Sequence, residues 1–217
     1  MNVVGRDSSL YYDARAGEYE SIYDKPERRP DLEYLERFLS EAFVRQDVLE
    51  LACGTGYWTQ FIARSARSIV AVDVNESVLD IARKKEYGMC PVSFVRGDAY
   101  SLKDLTISPS AGFHAFWWSH IPRQDIQQFL QSFHGRLQDR TRVTMLDNRY
   151  VEGNSTPISK TDEFGNTYQM RMLKDGTCYQ VLKNFPTVND LRIELADVSA
   201  LKVTDLQYYW LAEYVLT

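Results

Sequence analysis

The sequence predicts an α/β protein built on an open, mostly parallel sheet with helices on both faces. Two stretches carry that expectation. The run VLELACGTGYWT, from Val48 to Thr59, is an apolar segment ending at an acid, Glu50, followed by a turn with Gly54 and Gly56. A helical stripe of Trp58, Phe61 and Ile62 comes next, and then Ile69-Val-Ala-Val-Asp73 repeats the pattern of an apolar run closed by an acid. Together they make one β-loop-α-β unit, with glycines freeing the backbone for a tight turn and close ligand approach. At 217 residues and 44% apolar content, residues 1–217 form a single domain with a sizeable core.

The remaining elements follow in chain order. Tyr12, Arg15, Tyr19 and Tyr23 recur at three and four residues, which predicts an amphipathic N-terminal helix within residues 1–24. Residues 31–44 form a helix with Leu32, Leu35, Phe38 and Leu39 on one face and Pro30 near its start. A helix over 76–87 opens at Asn75 as N-cap. Val92–Ala99 is a short alternating strand ending in Gly97-Asp98-Ala99. Gly112–Trp118 reads as a buried strand that Pro122, lacking an amide donor, brings to an end. A helix over 123–138 shows Ile126, Phe129, Leu130 and Phe133, and residues 143–147 make the fifth strand. Asp175-Gly176 between alternating runs marks a hairpin inside 148–186, an insertion too long for the bare fold. A helix near 187–197 and a closing antiparallel pair, 201–209 with 210–216, complete the chain.

Composition narrows the function. A net charge of −5 argues against a nucleic-acid backbone as default partner. Cys53, Cys90 and Cys178 are an odd count without a C-x-x-C pair, so neither a disulfide frame nor a metal site is indicated. No apolar run approaches 18 residues and no signal-type segment opens the chain, so the expected location is cytoplasmic, as monomer or homodimer.

Charge also bears on the ligand of the glycine loop. A dinucleotide would lay a pyrophosphate near Glu50, where two like charges at ~4 Å cost about 4 kcal/mol at an effective dielectric of 20. S-adenosylmethionine reverses that sign, since it carries an ammonium and a sulfonium and no phosphate. Asp73 can then accept both ribose hydroxyls.

The ELACGTG run resembles the first motif of class I S-adenosylmethionine-dependent methyltransferases, with Ala52 where the family places its first glycine. The resemblance extends from about residue 10 to the end and implies a Rossmann-like, seven-stranded, mostly parallel sheet whose last strand is antiparallel, with a small antiparallel insertion after strand five. It implies cofactor contacts at Glu50, Ala52, Gly54, Gly56, Trp58, Asp73 and Val74, with Asp98 and Ala99 at the adenine. It also implies that a Tyr-Tyr-x-x-x-Ala-x-x-Tyr opening folds over the cofactor, Tyr11 or Tyr19 bonding its carboxylate beside Arg15. The strand-four end would supply Trp117 to the sulfonium, because aromatic faces attract cations, and Trp118 to the acceptor. Candidate bases are His120, Tyr12 and Asp147; His114 reads as a satisfied core residue and His134 as surface.

The insertion 148–186 is expected to cap the acceptor pocket, with Arg171 and Lys183 gripping an anionic group. Its layout, with the W-x-x-H-I-P loop, resembles bacterial small-molecule O-methyltransferases that include a phosphonate-ester-forming enzyme. The expected activity is methyl transfer to an oxygen of a small anionic metabolite. The alternatives are N-methylation of a small molecule or RNA base, and a silent S-adenosylmethionine-binding protein; a nicotinamide oxidoreductase is disfavoured by Glu50.

Overall fold

The computed structural model describes residues 11–102 and 107–217. The part of the expected lid that falls on residues 1–10 lies outside them.

Ten strands form two sheets. The large one contains β1 (Asp47–Leu51), β2 (Ser68–Asp73), β3 (Val92–Arg96), β4 (Ala111–Ala115), β5 (Arg142–Asn148), β9 (Ser199–Asp205) and β10 (Tyr209–Val215), in the order β3-β2-β1-β4-β5-β10-β9. β1 to β5 pair in parallel, and β10 runs antiparallel to both its neighbours. Strand order reverses between β1 and β4, which opens the ligand crevice at the carboxyl ends of these strands. The helices are α1 (Arg29–Ala42), α2 (Tyr57–Ile62), α3 (Glu76–Ala82), α4 (Ile126–His134) and α5 (Val188–Glu194). The insertion supplies β6 (Ile158–Thr161), β7 (Thr167–Met172) and β8 (Cys178–Leu182), an antiparallel sheet in that order.

Strand alternation divides the core between two faces. Val48, Ile69, Phe113, Leu146 and Leu211 pack with Leu32, Leu35, Leu39 and Phe43 on one side. Leu49, Leu51, Met145, Trp210 and Ala212 pack with Phe129, Leu130, Phe133 and Leu191 on the other. The period-two pattern of a strand with both faces covered puts consecutive residues into different clusters.

Several boundaries differ from the sequence expectation. α3 stops at Ala82 rather than 87 because the Tyr87 hydroxyl folds back and donates to the Ala82 carbonyl at 2.8 Å. α4 is preceded by a 3-10 turn at Arg123–Asp125 after Pro122. α5 opens with a capping box in which Thr187 and Asp190 bond each other's amides, a Thr-x-x-Asp signal present in the sequence. The N-terminal stripe is α-helical only over residues 11–15 and continues as a 3-10 helix, Ala16–Tyr23. That tighter winding puts Tyr19 and Ile22 on one face, three residues apart, and turns Tyr23 into the core, stacked 3.8 Å from Tyr57.

Ala52 has φ 51°, left-handed backbone that costs an L-residue roughly 1–2 kcal/mol. The glycine that the resembled motif carries here would adopt it without strain. Ala52→Gly therefore raises stability or leaves it unchanged, the relief offset by about 0.4–1 kcal/mol of unfolded-chain entropy. Urea denaturation checks this, and a loss of stability on the scale of a mid-helix Ala→Gly, about 1 kcal/mol, would contradict it.

Candidate active site

The β1–α2 loop is organised by Asp73 at the end of β2. Its Oδ2 accepts from the Gly54 amide at 2.9 Å and its Oδ1 from the Asn75 amide at 2.9 Å. Gly54 has φ 55°, and a Cβ built there would meet nothing within 4 Å, so the loop leaves open space beside the carboxylate. Gly56 serves packing instead: at φ 75°, a Cβ would collide with the Tyr87 hydroxyl and meet Ala82 of α3 at 3.1 Å. Val74, next to Asp73, keeps its apolar side chain 38% exposed. At the end of β3 the Asp98 Oδ1 accepts from the Tyr100 amide at 2.9 Å, and Ala99 is buried beside it.

Glu50 departs from the sequence expectation. It is 2% exposed, and its Oε2 accepts from the Thr59 hydroxyl at 2.8 Å. Burial pushes its carboxyl up to about 8, with Thr59 opposing and Asp73 adding to the shift. Without a nearby cation it is mostly protonated at neutral pH, so the like-charge argument against a pyrophosphate loses its premise at this residue. Trp58 is also core rather than ligand wall, 4% exposed and edge-on to Tyr23 at 5.6 Å.

A second region lies under the cap. A cavity of about 280 Å³ is lined by Tyr12 and Tyr19 from the N-terminal strap, Phe116 and His120 from the β4 loop, Asn148 and Tyr209 from the sheet, and Gln169 and Phe185 from the cap. Arg15, Lys25, Arg28, Arg171 and Lys183 also line it, and no Asp or Glu does. Sequence reading found Arg15, Arg171 and Lys183 but missed Lys25, Arg28 and Phe116. Arg28 reads as one charge of an Arg-Arg-Pro helix start, yet its guanidinium lies 5.4 Å from the Tyr208 ring and 5.8 Å from that of Tyr209. Phe116, at φ 54°, takes the cavity position expected of a tryptophan. Strained left-handed backbone on a bulky residue persists where the surroundings enforce it.

The tryptophans go elsewhere. Trp118 is 2% exposed and packs edge-on against Trp210 at 6.3 Å, in the opposite core cluster. Trp117 is half-buried against Tyr100 and Phe129, its Nε1 without a hydrogen bond among the described residues.

His120 is held from both sides. A carbonyl only accepts, so Nδ1–H donates to the Leu182 carbonyl at 2.7 Å, and Nε2 accepts from the Tyr12 hydroxyl at 2.9 Å. Burial, reinforced by Lys183, pushes the imidazole down to about 3, and burial raises the Tyr12 phenol. The pair is neutral across the physiological range. Arg15 Nη1 donates to the Tyr11 hydroxyl at 2.7 Å, which brings together two of the residues expected beside the cofactor's carboxylate. Burial also raises the Tyr19 phenol, which sits 5.8 Å from the Tyr12 ring.

Asp147 is not a free base. Its Oδ2 accepts from the Ser119 amide at 2.9 Å, and its Oδ1 from the Ser119 hydroxyl at 3.0 Å, the Asn148 amide at 2.7 Å and Lys183 Nζ at 3.2 Å. Burial opposes ionisation, but Lys183, His120 and these donors outweigh it and hold the carboxyl below its ordinary range. Lys183, 5% exposed, also donates to Ser119 Oγ at 2.6 Å, so it is an ion-pair partner first and a cavity wall second. Two histidines differ from expectation as well. His114 is fully buried, and neither ring nitrogen has a hydrogen bond among the described residues; burial lowers it to about 4. His134 is half-buried, bonded to the Tyr214 hydroxyl at 2.8 Å.

Comparison with known proteins decides the chemistry. A methyltransferase domain family matches residues 48–140, the β1-to-α4 segment that carries the glycine loop, Asp73 and Asp98. Along its length the chain is similar to two solved complexes of DhpI, one with SAH (TM-score 0.78, 25% identity, 97% of this chain and 96% of that one) and one with SAM and HEP (TM-score 0.79, 25% identity, 99% of each). The chain is an S-adenosylmethionine-dependent methyltransferase. Its cofactor is S-adenosylmethionine. The methyltransferase is also 25% identical over 189 residues to a malonyl-[acyl-carrier protein] O-methyltransferase of Anoxybacillus flavithermus, covering 75% of this chain and 69% of that protein. The open Gly54 loop, the exposed Val74 and the unbonded buried Trp117 Nε1 all fit such a group. Among the described residues no helix is long and apolar enough to cross a membrane.

Glu50 gives a pH test of this methyltransferase. A folded-state pKa raised from 4.5 to about 8 favours folding fully below pH ~4.5, and that contribution is lost as pH rises through about 8. Glu50→Gln keeps an acceptor for Thr59 and removes the ionisation. In the cofactor-free protein its stability gain over wild type should grow from pH ~4.5 to 8 and then level off, on the order of 5 kcal/mol. Urea titrations at several pH values measure this; a gap that does not change with pH would contradict it.

Proposed function

We propose that this methyltransferase acts on an oxygen of a small anionic metabolite. The observation that carries the reading is the cavity's charge: no carboxylate lines it, and of its five cationic side chains only Lys183 is ion-paired, with Asp147, leaving Arg15, Lys25, Arg28 and Arg171 without an ion-pair partner among the described residues, in a chain with more acids (30) than bases (25). Aromatic walls from Tyr12, Tyr19, Phe116 and Tyr209 exclude water, and guanidiniums grip oxyanions bidentately. A cationic amine would meet repulsion in the same space. The DhpI complex with HEP and the O-methyltransferase relative lend support through their own small-molecule and oxygen chemistry.

In this reading Asp73 accepts the ribose hydroxyls, Asp98 and the Ala99 amide serve the adenine, and Val74 and Trp117 flank it. Tyr11, Arg15 and Tyr19 close over the amino-acid end. S-adenosylmethionine supplies the methyl group on a sulfonium already activated to leave. What this chain adds is alignment in a dry cavity, a contribution that can reach ~7–11 kcal/mol. His120 and Tyr12 are neutral and hydrogen-bonded to each other, an arrangement suited to orienting an acceptor rather than deprotonating it. An anionic oxygen is already a nucleophile and needs no base.

The experiment is steady-state kinetics on two variants. Arg171→Ala should raise KM for the acceptor at least tenfold and leave S-adenosylhomocysteine affinity unchanged. His120→Asn, which keeps a donor for Leu182, should lose less than tenfold in kcat, whereas a general base would cost about 10²–10⁴-fold. Full activity in Arg171→Ala would overturn the anionic acceptor, and a loss of a hundredfold or more in His120→Asn would restore the base.

A further inference from the structure

Two of the cavity's guanidiniums are held by neutral amides. Asn154 Oδ1 accepts from Arg28 Nε at 3.0 Å and again from Arg28 Nη2. Gln169 Oε1 accepts from Arg171 Nη2 at 2.5 Å. The amide orientations follow from the chemistry of their partners. A guanidinium can only donate, so each carbonyl oxygen must face it. The amide nitrogens face groups that only accept: Asn154 Nδ2 donates to Glu27 Oε1 at 2.7 Å, and Gln169 Nε2 to the Thr156 carbonyl at 2.5 Å.

Neither guanidinium has a carboxylate partner within ion-pair distance among the described residues. Elsewhere the chain pairs its cations freely, as Arg29 does with Glu33 and Glu36, and Arg67 with Asp47. Gln169 is fully buried and stands two residues before Arg171 on β7, so both side chains leave the same face of the cap toward the cavity. Asn154 lies on the segment joining β5 to the cap and reaches back to Arg28, just ahead of α1. A carboxylate at either place would bond the guanidinium more strongly, since charge-assisted hydrogen bonds are about twice as strong. It would also cancel the charge that the cavity presents.

We propose that Asn154 and Gln169 are specificity-determining positioning residues, fixing Arg28 and Arg171 toward the acceptor while leaving neither guanidinium directly paired with a carboxylate. This rests on the anionic-acceptor reading. The two amides set what enters the cavity through the charge they do not carry: an oxyanion becomes the counterion that the fold withholds.

The test uses the full chain saturated with S-adenosylhomocysteine and titrated with inorganic phosphate, followed by calorimetry. Near-isosteric Asn154→Asp and Gln169→Glu are compared with wild type, and circular dichroism and S-adenosylhomocysteine affinity verify folding. Both variants should bind phosphate at least tenfold more weakly, with S-adenosylhomocysteine affinity within twofold of wild type. A merely structural bond would leave phosphate affinity unmoved, and affinity within twofold of wild type in both would overturn the proposal. Should one variant fail to fold, the other decides by the same threshold. Absence of phosphate binding in wild type itself would overturn the anionic-acceptor reading and this inference with it.

Discussion

The buried ion pair between Asp147 and Lys183 is the constraint on which the cavity under the cap depends. Asp147 is the penultimate residue of β5, Lys183 follows β8, and Ser119 lies in the β4 loop, so one charged cluster ties cap, sheet and loop at a point. Backbone bonds continue the seam: the Asn184 amide donates to the Ser119 carbonyl at 2.7 Å, and Leu182 accepts from His120. Asn184 Nδ2 donates to the Ile121 carbonyl at 3.0 Å, and Asn166 Oδ1 accepts the Arg123 amide at 2.7 Å. Removing one partner of such a pair leaves an uncompensated charge and typically costs about 3–5 kcal/mol. The cap is thus fixed at its root, and the strap residues Glu18 and Glu20 reach across to Lys174 of the cap and Lys85 of the core.

From that fixed root follows a division of charge. Around the glycine loop, burial raises the Glu50 carboxyl to about 8, while Asp73 holds the loop through two amides. Under the cap, Tyr12 and His120 are neutral and engaged with each other, and Asp147 is spent on Lys183. What remains facing the cavity with net charge is positive. The cavity thereby presents unpaired cations, while Tyr12, His120 and Asp147 are each engaged with protein partners.

Much of this was legible in the sequence. Apolar runs ending in Glu50, Asp73 and Asp98 located three parallel strand ends, because strand burial and turn chemistry are local signals. Asp175-Gly176 marked the hairpin for the same reason. What failed depended on contacts between elements. Glu50 looked like an open anion, since periodicity does not show that Thr59 and the core close over it. Two adjacent tryptophans were assigned to ligands although Phe116 faces the cavity, because its left-handed backbone shifts the alternation that would have chosen among them. Arg28 and Asn154 are 126 residues apart and carry no motif; only the folded chain brings them together.

The most direct test of the central claim is methyl transfer from labelled S-adenosylmethionine to acceptors matched in size and differing in charge: oxyanions, neutral alcohols, and primary amines of the same skeleton. The account predicts label in the oxyanions, with transfer falling as ionic strength screens the cavity cations, and none in the alcohols or amines. Preferential labelling of amines, or transfer to neutral acceptors at equal rates, would contradict it.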